Sequence, residues 1–247
     1  MVRTILAALR TVILVPLFFV YTIIEASIIV VYGVFRPASP IHDRIVKRWA
    51  RLFLKIPPVR CSVDGLDNVD PTKRYMIVSN HLSLFDIPTL FWTLPVHGRF
   101  LSKKEVFKIP MVGRAMRTIG IVEINRASGG SSRQAIIEGV QIAAERGFSL
   151  IVFPEGTRGT GGELLPFMKG AFRIAIDTGL PILPVIIEGT ERVSRSGSRL
   201  FFPGSARVVI LEPIETAHMT NKNDLKDLSR SVEAIMNETY AMLTPEA

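Results

Sequence analysis

The chain has 247 residues, enough for one sizeable α/β domain and an appendage. Apolar residues make up 48% and the mean hydropathy is +0.32, so a membrane-associating segment is expected. A lone cysteine, Cys61, excludes an intrachain disulfide, and no Cys/His cluster has the spacing of a zinc site.

The net charge of +8 is unevenly placed. Residues 1–60 hold nine of the 30 basic residues and two of the 22 acidic ones, which leaves +1 for the remainder. Nucleic acid is the ordinary partner for a pI near 9.9. Here the excess lies beside an apolar run, a pattern that fits anionic lipid headgroups better than nucleic acid.

That run is TVILVPLFFVYTIIEASIIVVYGVF, Thr11 to Phe35, with Glu25 as its one charge. It is longer than a signal-peptide core and lacks a small-x-small cleavage site before the basic stretch. Two arrangements are open, a single span and a hairpin sunk into one leaflet. Glu25 favours the hairpin, since an acid at the bilayer centre costs roughly 2.5–3.5 kcal/mol. Next comes PIHDRIVKRWARLFLKIPP, where Pro40 starts a helix and Pro57-Pro58 end it. Ile41, Ile45, Trp49, Leu52, Phe53 and Ile56 share one face, opposite Arg44, Lys47, Arg48, Arg51 and Lys55. That division predicts an interfacial helix over its rival, a surface helix packed on the core. Residues 1–58 are thus expected to be membrane-binding helices, with their basic segment at the cytoplasmic face. Residues 59–247 are expected to form the globular domain.

Within that domain, YMIVS, RFLS, GIVEI, SLIVF, ILPVIIE and ARVVILE read as strands. Helices are expected near 84–94, 131–146 and 167–179 and from Asn221 onward, with a flexible connector at 127–132. The alternation predicts an α/β fold, a mostly parallel sheet flanked by helices.

Four of these strands end in polar residues, at the edge where parallel sheets bind ligands. YMIVS is followed by Asn80-His81-Leu82-Ser83-Leu84-Phe85-Asp86, and RFLS by Lys103 and Lys104. GIVEI leads into Asn125 and Arg126, and LIVF into Pro154-Glu155-Gly156-Thr157-Arg158-Gly159. His81 suits a general base, with Asp86 holding the second ring nitrogen. The rival reading is that Ser83 and Asp86 form a capping box. The Pro and glycines around Glu155-Thr157-Arg158 mark a tight turn, and Arg158 has a donor fork suited to phosphate. Its rival is a turn with a solvated ion pair; Lys103, Lys104 and Arg126, taken singly, read as surface charge. No GxSxG elbow and no P-loop occurs. A base and cations without a protein nucleophile suit direct attack by a substrate hydroxyl on an activated acyl donor.

Taken together, these blocks resemble the glycerolipid acyltransferase family, and its 1-acylglycerol-3-phosphate acyltransferase branch in particular. The H-x4-D motif matches His81 to Asp86, and KKEVFKIPMVGRAMRTIGIVEINR resembles the second block. FPEGTR matches the third letter for letter, and LPILPVIIEG resembles the fourth, so the matches run in order over about residues 75–190. The resemblance implies that His81 and Asp86 are a catalytic dyad in an acyltransferase domain. It implies that Arg126, Glu155, Gly156 and Arg158 help bind the glycerol phosphate of lysophosphatidic acid; Thr157, Lys103 and Lys104, in the same blocks, join them as binding candidates. It also implies an acyl-CoA or acyl-carrier-protein donor, with no metal or organic cofactor. Another lysolipid acceptor, a lipase-like hydrolase and a non-catalytic lipid-binding protein remain alternatives.

Overall fold

The structure, a computed structural model, describes residues 2–36, 39–124, 139–143, 145–194, 198 and 200–244. Seven strands form one sheet: β1 (Val59–Asp64), β2 (Met76–Ser79), β3 (Gly98–Lys103), β4 (Val122–Ile124), β5 (Ser149–Val152), β6 (Ile182–Glu188) and β7 (Gly204–Ile210). Their order is β1-β7-β6-β2-β5-β3-β4, and every neighbouring pair is parallel except β6 and β7. The expected mostly parallel α/β sheet is therefore the one found. Two features were not anticipated. β1 was missed, because VRCSVD is an edge strand of alternating exposure with few apolar residues. The antiparallel direction of β7 has no local signal, since strand direction is decided by how the chain returns.

The helices are α1 (Val2–Phe35), α2 (Ile41–Phe53), α3 (Asp86–Thr93), α4 (Val112–Thr118), α5 (Gly170–Thr178), α6 (Thr190–Val193) and α7 (Lys222–Leu243). α7 starts where expected, at a capping box: the Asn221 side chain accepts from the backbone N–H groups of Asn223 and Asp224, and Asp224 reaches back to the Asn221 N–H. Residues 139–143 are helical; the rest of the helix expected at 131–146 lies mainly outside the described residues.

Alternation along the strands divides the core. Met76 and Val78 face one layer with Phe172, Ala175, Leu228, Val232 and Met236 of α5 and α7. Ile77 faces the other with Leu90 and Leu94 from α3 and the turn after it.

The two N-terminal helices extend this second layer. Ala26 and Ile29 of α1 and Ile45, Val46 and Ala50 of α2 share a core with Phe91, Phe107, Ala115 and Ile119. Burying one such isoleucine stabilises the fold by about 1.5–3 kcal/mol. α2 ends at Phe53, five residues before the expected division at residue 58, and cores cross that division, so this pair is no detachable appendage.

Along α1 the contacts form a stripe at intervals of three and four residues. Thr11 accepts from the Phe201 N–H, Val15 and Phe18 pack beside Phe53, and Thr22 accepts from the Trp49 indole. Glu25 meets Arg48 at 2.6 Å, and Gly33 lies against Thr118. The remaining faces carry Ile5, Leu9, Val12, Ile13, Leu17, Val20, Ile24, Ile28, Val31 and Phe35, all exposed. The acid inside the apolar run is thus turned to the domain.

α2 differs from the expected interfacial helix in one respect. Trp49 faces α1, stacked with Phe53, and three of the five cations have partners inside the protein: Arg48 on Glu25, the Lys47 ammonium donating to the Leu94 carbonyl, and Arg51 over the Trp92 ring. Arg44 and Lys55 are exposed.

Candidate active site

β2 ends at Ser79, and Asn80 continues its ladder with a side chain. The Asn80 amide donates to the Ile187 carbonyl and accepts from the Ile187 N–H, both at 2.8 Å. The exit of β2 is thereby tied to the end of β6, and the chain passes to His81 at the C-terminal rim.

His81 Nδ1 lies 2.7 Å from Asp86 Oδ2. The same oxygen accepts from the backbone N–H of Leu82 at 2.7 Å and of Ser83 at 2.8 Å. The five-residue spacing is what lets the loop wrap round the carboxylate at the start of α3. Both sequence readings of Asp86 hold at once: it reaches back to the Ser83 N–H as a capping acid does, and it holds the imidazole. Asp86 is fully buried, whereas the His81 side chain is 14% exposed. An ionised carboxylate only accepts, so it selects the tautomer with the proton on Nδ1 and leaves Nε2 as the free base. The Ser83 hydroxyl, two residues from His81, accepts from the Phe85 N–H and is buried, so it is not presented as a nucleophile.

β5 is the other neighbour of β2, so the two polar loops meet. The Phe153 ring stacks on His81, with centroids 4.1 Å apart and planes at 16°. Glu155 accepts from the His81 N–H at 2.7 Å and from the Leu165 N–H at 3.0 Å. Both its oxygens are taken by backbone, so Glu155 braces the dyad loop from below. Burial pushes its carboxyl above the usual range, against the pull of those two N–H groups. The Gly159 N–H returns a bond to the His81 carbonyl at 2.7 Å. Gly156 sits at φ +69°, a left-handed conformation that favours glycine. Beyond it Thr157 and Arg158 are exposed, and among the described residues Arg158 forms no ion pair.

Lys103 closes β3, one strand farther along the same rim, and Lys104 follows it half-buried. Arg126 lies outside the described residues. The sequence placed Asn80 and Phe153 in the motifs without a role for either, and it did not single out Thr190, whose hydroxyl meets Asp86 Oδ1. The signal for Thr190 was present in Gly189-Thr190, a glycine and a hydroxyl at the C-terminal end of a buried strand.

The stretch 60–188 matches the family model described as Acyltransferase, slightly more than half of the chain. The chain belongs to the acyltransferase family. Among its relatives, the chloroplastic 1-acyl-sn-glycerol-3-phosphate acyltransferase BAT2 of Brassica napus is 37% identical over 70% of this chain and 50% of its own length. The 1-acyl-sn-glycerol-3-phosphate acyltransferase alpha of Mus musculus is 32% identical over 72% of this chain and 62% of its own. The chain thus spans about half the length of the plant relatives it matches. The crystal structure of the 1-acyl-sn-glycerophosphate (LPA) acyltransferase PlsC from Thermotoga maritima superposes with a TM-score of 0.82 at 27% identity, covering 99% of both chains.

The matched stretch contains both loops of the site and ends two residues before Thr190. The superposition extends over α1 and α2, so the N-terminal helical pair is shared with the Thermotoga protein.

Proposed function

We propose that this acyltransferase moves a fatty acyl group from acyl-CoA or acyl-carrier protein to the sn-2 hydroxyl of 1-acyl-sn-glycerol-3-phosphate, forming phosphatidic acid. The observation that carries the proposal is His81, held by Asp86 at 2.7 Å and bonded through its backbone to the loop that presents Arg158, exposed and without an ion pair among the described residues. A base beside an open guanidinium suits a hydroxyl and a phosphate on one acceptor.

In the proposed reaction Nε2 of His81 removes the proton of the sn-2 hydroxyl as its oxygen attacks the thioester carbon. Asp86 stays ionised and opposes the charge that develops on the ring. Collapse of the tetrahedral intermediate breaks the C–S bond, and the imidazolium returns its proton to the thiolate. Arg158, with Arg126, Lys103 and Lys104, holds the phosphate, and Gly156 and Thr157 shape the turn beside it. Holding the acceptor keeps its hydroxyl, rather than water, at the attack position. Glu155 serves this site from beneath. The thioester arrives activated, so the proposal needs no metal or organic cofactor.

The reaction is proposed to occur at the cytoplasmic face of a membrane. The support is α1, whose exposed residues from Ile5 to Phe35 are all apolar while one stripe stays on the domain. A helix joined to its domain over most of its length lies in one leaflet more readily than it crosses two. The surrounding basic residues suit an anionic surface.

The test offers purified enzyme a panel of lysolipid acceptors, with acyl-CoA and acyl-carrier protein given separately, and identifies products by mass spectrometry. Phosphatidic acid from lysophosphatidic acid is the expected main product. A faster reaction with an acceptor lacking the phosphomonoester would replace the acceptor, and thioester hydrolysis without acceptor would replace the reaction class.

A further inference from the structure

The two oxygens of Asp86 are held by different parts of the chain. Oδ2 takes His81 Nδ1 and the Leu82 and Ser83 N–H groups, all from its own loop. Oδ1 accepts from the hydroxyl of Thr190, 104 residues away at the start of α6, at 2.5 Å. We infer that Thr190 is a positioning residue of the dyad, whose hydroxyl fixes the rotation of the Asp86 carboxylate against the His81 ring. This rests on the reading of His81 as the base.

Burial is the first support. Thr190 and Asp86 are both fully buried, so no solvent molecule replaces the hydroxyl if it is lost. An ionised carboxylate is acceptor-only, so the hydroxyl must donate. A donor on Oδ1 fixes the plane of the carboxylate, so that Oδ2 stays in line with His81 Nδ1.

The route by which Thr190 reaches Asp86 is the second support. Gly189 adopts φ +95°, and a Cβ there would sit 2.3 Å from the Ser205 carbonyl oxygen, so only glycine makes this turn. The Gly189 N–H donates to Glu191 at 3.0 Å, which closes the turn. Two residues before Gly189, Ile187 is clamped on both sides of its peptide by Asn80, the residue before His81. Thr190 and His81 are thus referred to the same pair of strands, and the hydroxyl meets the carboxylate in a fixed register.

A purely structural clip between β6 and α3 would look similar in a stability assay, so kinetics must separate the two. Full-length Thr190→Val, Thr190→Ser, Thr190→Cys and His81→Ala are compared with the parent enzyme on lysophosphatidic acid and acyl donor. Valine keeps the shape and removes the hydroxyl; its kcat is expected to fall about tenfold or more, with both KM values within about twofold. Serine keeps the hydroxyl and is expected to recover most of that loss. Cysteine, a weaker donor, is expected to fall between them.

A valine variant with kcat within twofold of the parent overturns the inference, as does one that raises KM and leaves kcat intact. Should valine fail to fold, the serine and cysteine variants decide, and equal kcat values for these two overturn it. Loss of activity in His81→Ala beside normal turnover in Thr190→Val defeats this inference alone. Retained activity in His81→Ala defeats the dyad, and this inference with it.

Discussion

The backbone N–H of His81 donates to the carboxylate of Glu155 at 2.7 Å, so the acid of the PEGTRG turn holds the loop that carries the base. The other oxygen holds Leu165 at 3.0 Å. An amide offers one acceptor where the carboxylate offers two, so Glu155→Gln leaves one buried N–H facing an NH₂ group. A loss of about 1–3 kcal/mol is expected, lowering Tm by roughly 2–10 °C, with a fall in kcat as His81 loosens. The pH dependence follows from the raised carboxyl. A carboxyl raised on folding contributes stability that is present below its unfolded value and lost as pH rises through its folded value. The parent loses that contribution and the glutamine variant has none to lose, so the Tm gap should narrow on raising the pH through this window. Tm values within 1 °C of each other at every pH would dismiss the brace.

His81→Ala should abolish turnover and leave the fold intact, because the side chain is at the rim and Asp86 retains its backbone donors. Asp86→Asn should cost nearly as much, since the imidazolium loses its counter-charge. Falls of about 10²–10⁴-fold suit a positioned base. More than a tenth of the parent rate in His81→Ala would end this mechanism.

Arg158→Ala and Arg126→Ala should impair use of the phosphorylated acceptor far more than use of the acyl donor. Each lost charge-assisted contact is worth about 1.5–3 kcal/mol. Arg158→Lys should recover only part, because a point charge does not reproduce the planar fork. Acceptor KM values raised less than about twofold, with kcat unchanged, would remove phosphate binding from these residues.

A cysteine placed at Val2 in a Cys61→Ser background reports the course of α1. The one-leaflet arrangement predicts protection from an impermeant reagent in intact cells and labelling once they are opened. Labelling from outside would establish a span. Truncation before residue 57 is a poorer probe, because it strips Ile45, Val46 and Ala50 from a core they share with Phe91 and Ala115.

Cys61 should be a slow thiol in the native enzyme. Burial on β1 pushes its pKa up to about 11, and the thiolate is the reactive form. Alkylation should therefore accelerate roughly tenfold per pH unit through pH 10, and activity at neutral pH should survive thiol reagents. An alkylation rate that levels off near pH 9 would contradict this.

Much of the architecture was legible in the chain. Period-two burial, runs such as MIVS and ILPVIIE, and the polar residues after each strand are local signals, and they led to the parallel sheet and to His81, Asp86 and Arg158 at its rim. The apolar run likewise announced a long helix. What local signals do not carry is which strands become neighbours. The order β6-β2-β5 sets the GT turn on one side of His81 and the PEGTRG turn on the other. That order made Glu155 a brace instead of an open ligand for the acceptor, stacked Phe153 on the imidazole, and brought Thr190 to Asp86. The partners of Glu25 and Trp49 were decided in the same way, by packing of α1 on α2. Sequence specified which side chains were available and the period at which they recur; only the tertiary structure decided their partners, because hydrogen bonds and buried ion pairs act over a few ångströms between residues that lie as many as 190 positions apart.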